Sequence, residues 1–331
     1  MAASEQIVSY SADRSVECAR DLPDFADAKR HPIYGSFGLA YYPHVFGSQA
    51  IEQSFAVRHG DRVRALVDCN VWERTLAYFG MPICPHFSSD LHHEQTEAIC
   101  REVVEELLMR ARSAGATKVV LRDSVVADAL SPLGEACLAR GGACRVEVRA
   151  RSDLRHDAHA SKRGLRKSFK SLVNWGRRNL VTRYVNAVNP DRELFAQYQA
   201  FHREVSGRAT RSQASWDVMY DWIVAGGGEL VLGYLDQHKL VAGNLVIDGT
   251  DTCYYASAVN DRAEFDKPLG HWPMFHAIQR APMRGMKWFD LGELPFAGTV
   301  TNKEYQIGYF KRGFASELQV GLVWTIPALG E

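Results

Sequence analysis

The side chains best suited to chemistry lie at the end of a short apolar run, residues 286–291. Its length and aromatic composition predict a buried strand, on which Asp290 stands, with Glu293 three residues later. In an α/β protein a carboxylate at the carboxyl end of a strand points toward the crevice where ligands bind. A carboxylate in that place can position an amine nucleophile or act as a weak base.

Two arginines stand close together in a short polar segment, Gly-Arg208-Ala-Thr-Arg211. The guanidinium group is a planar fork that binds phosphate or carboxylate through two parallel hydrogen bonds. The segment is therefore a candidate for binding an anionic substrate.

Positive charge is concentrated in residues 145–183, which hold twelve Lys or Arg against three acidic residues. Leu165, Phe169 and Val173 keep helical spacing and predict a basic amphipathic helix that begins near Ser161. This face is either simply solvated or binds a polyanion: tRNA, a nucleotide-linked substrate or an anionic membrane surface. The cations expected to meet a polyanion are Lys162, Arg163, Arg166, Lys167, Arg177 and Arg178.

The order of predicted elements indicates a mixed α/β protein, and a length of 331 residues favours more than one compact unit. The second half reads strand, two helices, a three-strand meander, helix, strand, short helix and strand. We expect a flexible N-terminus over 1–24, a first domain over 25–150 and a second over 151–331. No stretch keeps heptads for three or four repeats, so a long coiled-coil arm is not expected.

The segment GHWPMFHAIQRAPMRGMKWFDLGE, followed by YFKRGF, resembles the C-terminal half of the FemABX aminoacyltransferases, within the GNAT acyltransferase superfamily. That family has "G…yDfGG" and then "FKxxFG" after a helix of this kind. Glu293 replaces the second glycine of the first motif, and Ala315 the glycine that ends the second. The resemblance implies two tandem GNAT-like domains of the compact FemX type, without a coiled-coil arm, and N-acyltransferase activity.

The resemblance also implies roles for particular residues. In the family the Phe-Lys pair, here Phe310 and Lys311, contacts the donor, and the lysine stabilises negative charge on the intermediate or on the donor's phosphate. Arg312 adds to the same field. The family places an arginine and tyrosines around a nucleotide-linked acceptor, which carries over to Arg211, Tyr254 and Tyr255. Tyr41 would lie on a helix near the acceptor.

The donor is the main open question. A CoA-using GNAT binds pyrophosphate through Gln/Arg-x-x-Gly-x-Gly/Ala at a helix N-terminus. The corresponding residues here are Lys267-Pro-Leu-Gly270-His-Trp272. The pattern ends on Gly or Ala, and the indole of Trp272 at that position disfavours CoA. We expect an aminoacyl-tRNA co-substrate and an amine acceptor on a peptide, a cell-wall precursor or a specialised metabolite. The alternatives are an acyl-CoA N-acyltransferase acting on an amino sugar or amino acid, and a non-catalytic GNAT-like binding protein.

Composition narrows the class further. The formal net charge is zero, and the seven cysteines have no spacing typical of disulfides or zinc. No apolar run approaches the length of a membrane span, and the first residues lack the pattern of a signal peptide. We therefore expect a cytoplasmic enzyme without a metal or a bound cofactor.

Overall fold

The structure is a computed structural model that describes residues 5–9, 25, 31–125, 129–155, 165–296, 298 and 300–328. It divides into two compact units. Unit 1 comprises Met1–Lys29, Phe46–Glu147 and Val320–Glu331, and unit 2 comprises Arg30–Val45 and Val148–Gln319.

The described residues form eight α-helices and fifteen strands. The helices are α1 (Ser36–Phe46), α2 (His93–Ser113), α3 (Pro132–Ala139), α4 (Phe169–Asn179), α5 (Arg192–Ser206), α6 (Gln213–Val224), α7 (His271–Arg280) and α8 (Asn302–Arg312). The strands are β1 (Glu5–Ser9), β2 (Ile51–Glu52), β3 (Phe55–His59), β4 (Arg62–Val67), β5 (Asn70–Trp72), β6 (Thr75–Ala77), β7 (His86–Phe87), β8 (Lys118–Ser124), β9 (Ala143–Asp153), β10 (Val181–Val185), β11 (Gly228–Leu235), β12 (Lys239–Asp248), β13 (Thr252–Asn260), β14 (Trp288–Glu293) and β15 (Glu317–Pro327).

Unit 1 contains a four-stranded sheet in the order β1-β3-β4-β7 and a second run of strands, β2-β5-β6-β8. Residues Gly321–Pro327 of β15 pair antiparallel with β8. Helix α2 buries Ile99, Val103 and Leu107 on one face, as its 3.6-residue periodicity predicts.

Unit 2 contains one sheet in the order β10-β11-β12-β13-β14-β9, of which β9 contributes its C-terminal half. The ladder from β10 to β13 is antiparallel, whereas β13 and β14 run parallel. The parallel pair is short: only Thr252–Tyr254 pair with Trp288–Asp290. Beyond Asp290 this ladder ends, and the candidate site described below lies at that point.

Alternating side chains of this sheet supply two separate hydrophobic clusters. Val231 and Val246 pack with α4, α7 and the end of α8. Leu230, Leu232 and Leu245 pack instead with α1, α5 and α6. The sheet of unit 2 therefore has helices on both faces, and a residue's position along a strand decides which group of helices it meets.

The predicted basic helix starts later than expected. Helix α4 begins at Phe169, not near Ser161, and residues 156–164, with Ser161, Lys162 and Arg163, lie outside the described residues. The Arg166 N–H donates to the carbonyl of Gly313 at 2.9 Å, and Leu165 is buried. This tertiary contact sets the backbone that precedes the helix, which helical spacing of apolar residues does not reveal.

The two units also differ from the contiguous domains predicted for 25–150 and 151–331. Part of the N-terminal region packs in unit 2, where His31 contacts Asp290 and Tyr41 contacts Arg211. The end of β15 belongs instead to unit 1, because it pairs with β8. Both assignments depend on contacts between residues far apart in sequence, so composition along the chain does not show them.

Candidate active site

Asp290 is the centre of a buried ion pair at the end of the β13–β14 ladder. Its Oδ2 accepts hydrogen bonds from Arg149 Nε at 3.1 Å and Nη2 at 2.9 Å, and His31 Nε2 lies 3.1 Å from the same oxygen. Its Oδ1 accepts from the Gly292 N–H at 2.6 Å. With three groups holding it and only 3% of its surface exposed, this carboxylate is fixed in place.

The ion pair determines the protonation state of Asp290. Burial alone would raise the pKa of this carboxyl, but the Arg149 guanidinium and the hydrogen bond from His31 hold it well below its usual range. So low a pKa makes this carboxylate a poor proton acceptor. The positioning and weak-base roles predicted for Asp290 both stay predictions.

Lys311 extends from α8 to the backbone of β14. Its Nζ donates to the Glu293 carbonyl at 3.4 Å and would lie 3.0 Å from a Cβ built on Gly292. Gly292 has φ +92°, in the left-handed region that favours glycine. Glycine at this position therefore permits the left-handed backbone and leaves space for the ammonium group.

The environment of Lys311 lowers its pKa. Burial is the main cause and the Arg149 guanidinium adds to it, while Asp290 and Glu293 act in the opposite direction. Lys311 is therefore an ammonium that gives up its proton more readily than an ordinary lysine. The side chain of Glu293 is exposed, and its carbonyl provides the contact to Lys311.

Lys311 comes from a helix that packs on the face of the sheet opposite the ion pair. Phe289, Leu291 and Ala150 pack with the α4–α7 cluster, so Asp290 and Arg149, at alternate positions, face the other side. Phe310, next to Lys311 on α8, packs with the α4–α7 cluster. The Lys311 Nζ and the Tyr254 ring nevertheless lie near the same point, 3.0 and 3.9 Å from a Cβ built on Gly292.

Tyrosines connect the ion pair to Arg211. The rings of His31 and Tyr254 have their centroids 5.1 Å apart, and those of Tyr41 and Tyr42 are also 5.1 Å apart. Burial, with a contribution from Tyr254, raises the pKa of Tyr42 well above its usual value. Arg211 Nε donates to the Tyr41 hydroxyl at 2.8 Å. Tyr41 is buried in the hydrophobic cluster on the α1–α5–α6 side.

Arg211 also lines a cavity of about 300 Å³ between α5 and α6. Its Nη1 lies 3.3 Å from His202 Nε2, and its guanidinium lies over the Trp216 ring at 5.0 Å from the centroid. Burial and the nearby arginine lower the pKa of His202 to about 4, so this imidazole is neutral at physiological pH. Arg208 is exposed and is not among the residues that line this cavity.

Tyr255 and Phe310 are placed differently from the prediction. Tyr255 packs with the α4–α7 cluster, on the face opposite Tyr254, so it does not join the other tyrosines. Phe310 packs against His271 and Phe314, with ring centroids 5.1 and 5.0 Å apart, which is a core contact. Neighbouring residues of a strand point to opposite faces of the sheet, so the sequence alone could have predicted that Tyr254 and Tyr255 lie on different faces.

The N-terminus of α7 is covered by side chains. The ring of His271 lies 4.7 Å from that of Phe169, and burial lowers its pKa to about 4. A Cβ on Gly176 of α4 would overlap Trp272, so the indole packs against α4. The Met274 N–H donates to the Gly270 carbonyl, and Pro273 has no N–H. This helix end therefore offers few donors to a pyrophosphate.

The four basic residues of this set that the structure describes lie near the two ends of α4. Arg166 lies over the Tyr309 ring, 3.7 Å from its centroid, and Lys167 beside it is exposed. Arg177 and Arg178 are exposed in the last turn of α4, about 15 Å further along at the rise of an α-helix. Positive side chains at a helix C-terminus interact favourably with the helix dipole, which gives Arg177 and Arg178 a structural role.

Two residues of the site were not predicted from the sequence. Arg149 was counted with the basic segment, and the pairing of β9 with β14 that brings it to Asp290 is not visible in the chain. His31 carries no motif at all. Within the residues described, no helix is long and apolar enough to cross a membrane, and no group of three or more His, Cys, Asp or Glu could hold a metal ion.

No protein-family model matches the chain, and no curated protein is significantly similar to it in sequence. Solved structures do share its fold. FemX is 12% identical over 96% of each chain, with a TM-score of 0.66. A tandem GNAT protein from the clavulanic acid biosynthesis pathway is 14% identical over 99% of this chain and 100% of its own, with a TM-score of 0.60. The L-PGS structure from Bacillus licheniformis is 13% identical over 96% and 92%, with a TM-score of 0.59. The predicted pair of GNAT-like domains is confirmed, and the resemblance to FemX is confirmed for the fold.

Proposed function

We propose that unit 2 transfers an acyl group to a primary amine, with Lys311 at the reaction centre. The observation that carries this proposal is the Lys311 ammonium at Gly292, beside the buried Asp290–Arg149 pair. A fixed positive charge stabilises the oxyanion of a tetrahedral intermediate. The fold shared with FemX and a tandem GNAT protein supports acyl transfer over a binding function alone.

In this proposal the two substrates approach Lys311 from opposite faces of the sheet. The acceptor amine lies on the α1–α5–α6 side, where the Tyr254 ring lies beside His31 and Arg211 donates to the Tyr41 hydroxyl. The acyl donor lies on the α4–α8 side, where Arg166 and Arg312 supply positive charge. Asp290 orients Arg149 and His31, and Glu293 holds the Lys311 ammonium through its carbonyl.

The donor that we propose is an aminoacyl-tRNA. The covered N-terminus of α7 supports it, because a CoA pyrophosphate would need backbone donors, of which this helix end offers few. The acceptor is the amine of a peptide, a cell-wall precursor or a specialised metabolite. An acyl-CoA donor remains the second candidate, since AcCoA is the ligand named for the tandem GNAT protein, whose structure is that of the form without it.

The test is acyl transfer from a labelled donor to a panel of amines. Mixed tRNA charged with radiolabelled amino acids and, separately, radiolabelled acetyl-CoA are incubated with the protein and a free peptide, an amino sugar or an amino acid. We expect label to move from tRNA into an acid-soluble amide. Label moving only from acetyl-CoA would favour the second candidate, and transfer from neither donor to any amine would contradict the proposal.

Lys311→Ala should lower the rate of transfer by about 100-fold or more, the effect of removing one donor to an oxyanion. The matched control is Lys303→Ala, an exposed lysine on the same helix. Both variants should unfold at nearly the wild-type temperature. Equal rates for the two variants would contradict the placement of Lys311 at the reaction centre.

A further inference from the structure

A second cavity of unit 2 lies beside the reaction centre and is not used by the proposed mechanism so far. This α8 pocket, of about 220 Å³, lies between α8 and the segment that follows β14. Its described lining includes Leu294, Pro295, Phe296, Tyr305, Tyr309 and Arg312. Leu294 follows Glu293 directly, and Arg312 follows Lys311, so the pocket adjoins the reaction centre along both segments.

The aromatic side chains of the α8 pocket are about half exposed. Phe296 is 51% exposed, Tyr305 43% and Tyr309 47%. Rings buried in a hydrophobic core lose nearly all of their exposure, as Phe289 and Phe314 do in the same unit. Three half-exposed rings around one concavity form an apolar surface that a flat ligand would cover.

The wall of the pocket is held by close packing. A Cβ on Gly308 would lie 2.8 Å from Pro295 Cδ, so α8 and the segment after β14 are in direct contact. Thr301 and Glu304 form a capping box at the start of α8, in which the Glu304 carboxylate accepts from the Thr301 N–H at 2.8 Å. The helix that carries two of the three rings is thus anchored at its first turn.

Positive charge borders the rings. Arg312 lines the pocket and is exposed. The Arg166 guanidinium covers one side of Tyr309, and its Nη1 is buried with no hydrogen-bond acceptor within the described part of the chain. Aromatic rings next to guanidinium groups are the surface on which proteins stack unpaired bases and bind the adjoining phosphate.

We propose that the α8 pocket binds a nucleobase and adjoining phosphate of a nucleotide-carried acyl donor. Tyr305 and Phe296 stack on the base, and Arg312 binds the phosphate. The inference rests on the proposed function, since it assigns the pocket to the donor. The 3′-terminal adenosine of tRNA and the adenosine of CoA share this chemistry, so the pocket accepts either in principle.

The first experiment measures equilibrium binding of adenosine monophosphate to the full chain, without any turnover. We expect saturable binding that weakens about 5- to 100-fold in Tyr305→Ala, the effect of losing one base–aromatic stack. Arg312→Ala should weaken binding and reduce its dependence on salt. The controls are Phe265→Ala and Arg101→Ala, which remove an exposed ring and an exposed guanidinium from other places.

Two further probes test the assignment of base and phosphate. Ribose 5-phosphate, which lacks the base, should bind at least 10-fold more weakly than adenosine monophosphate. Octanoate should not displace adenosine monophosphate. Displacement by octanoate would instead make the pocket an acyl-chain site, and either that result or binding unaffected by Tyr305→Ala and Arg312→Ala would overturn the proposal.

Competition then separates the two possible sources. A minihelix RNA ending in CCA and free CoA are each titrated against bound adenosine monophosphate, and the source is the one that competes at lower concentration. Binding of the nucleotide without acyl transfer would leave this inference standing and contradict the proposed function. Acyl transfer without nucleotide binding would do the reverse.

Discussion

At the scale of single residues, the site depends on an ion pair that must remain ionised. Arg149 and His31 hold the Asp290 carboxylate, and Arg149 in turn contributes to the lowered pKa of Lys311. One guanidinium therefore acts on both charged groups of the site. Its removal would leave Asp290 buried without its main partner, which is costly because burial disfavours an unpaired charge.

We predict that Arg149→Met lowers the free energy of unfolding by about 3–5 kcal/mol, the usual loss when one partner of a buried pair is removed. Denaturant unfolding measures this change. Arg151→Met is a suitable control, because its guanidinium belongs to the same strand and stacks on Trp288 at 3.8 Å from the ring centroid. A loss no larger for Arg149→Met than for the control would contradict the structural importance of the ion pair.

The Asp290 pKa predicts how stability depends on pH. Its pKa in the folded state lies below the value of about 4 expected when the chain is unfolded. The stabilisation is therefore complete above pH 4 and is lost progressively as the pH falls toward the folded-state pKa. Asp290→Asn should make the fall in melting temperature between pH 5 and about pH 2 shallower than in the wild type. Parallel curves for the two proteins would show that another group controls acid unfolding.

The Lys311 pKa predicts how activity depends on pH. The proposed mechanism needs the ammonium form, so activity should fall as the pH rises through a pKa that lies below that of an ordinary lysine. Lys311→Arg, whose side chain keeps its proton, should retain measurable activity and lose this basic limb. A basic limb at the same pH in both proteins would assign it to another group.

At the scale of elements, the reaction centre lies where β13 and β14 stop pairing. Gly292 follows at that point. The β13–β14 ladder ends at Tyr254 and Asp290, and Gly292 follows in a left-handed conformation. Leu291 lies at an irregularity in the pairing of β14 with β9, a feature that often re-aims side chains near active sites. Helix α8 then supplies Lys311 to the space that a side chain at 292 would fill.

We predict that Gly292→Ala lowers activity nearly as much as Lys311→Ala, because the new Cβ would lie 3.0 Å from the Nζ of Lys311. The left-handed backbone adds strain of about 1–3 kcal/mol. Gly285→Ala is the matched control: Gly285 has φ +85°, and nothing lies within 4 Å of a Cβ there. Both variants should lose similar stability, as measured by denaturant unfolding, and only Gly292→Ala should lose activity. Equal activity of the two variants would contradict a role for Gly292 at the reaction centre.

At the scale of the whole molecule, net charge is zero and the local excess of positive charge must account for any binding of a polyanion. We predict that charged tRNA binds with an affinity that falls steeply between two salt concentrations, because bound phosphates release counterions. Acetyl-CoA should bind weakly under the same conditions. Arg166→Ala and Lys167→Ala should reduce the salt dependence more than Arg177→Ala, which lies at the other end of α4. Tight binding of acetyl-CoA with no binding of tRNA would reverse the choice of donor.

The sequence by itself determined the two-domain α/β class, the order of elements in the second half and the motifs around Asp290 and Lys311. These follow from local information, namely periodicity, turn residues and motif spacing. Only the tertiary structure decided that Arg149 and His31 complete the site and that α4 begins at Phe169. The physical reason is that each depends on strand pairing or packing between residues far apart in sequence, such as β9 with β14 and Arg166 with Gly313.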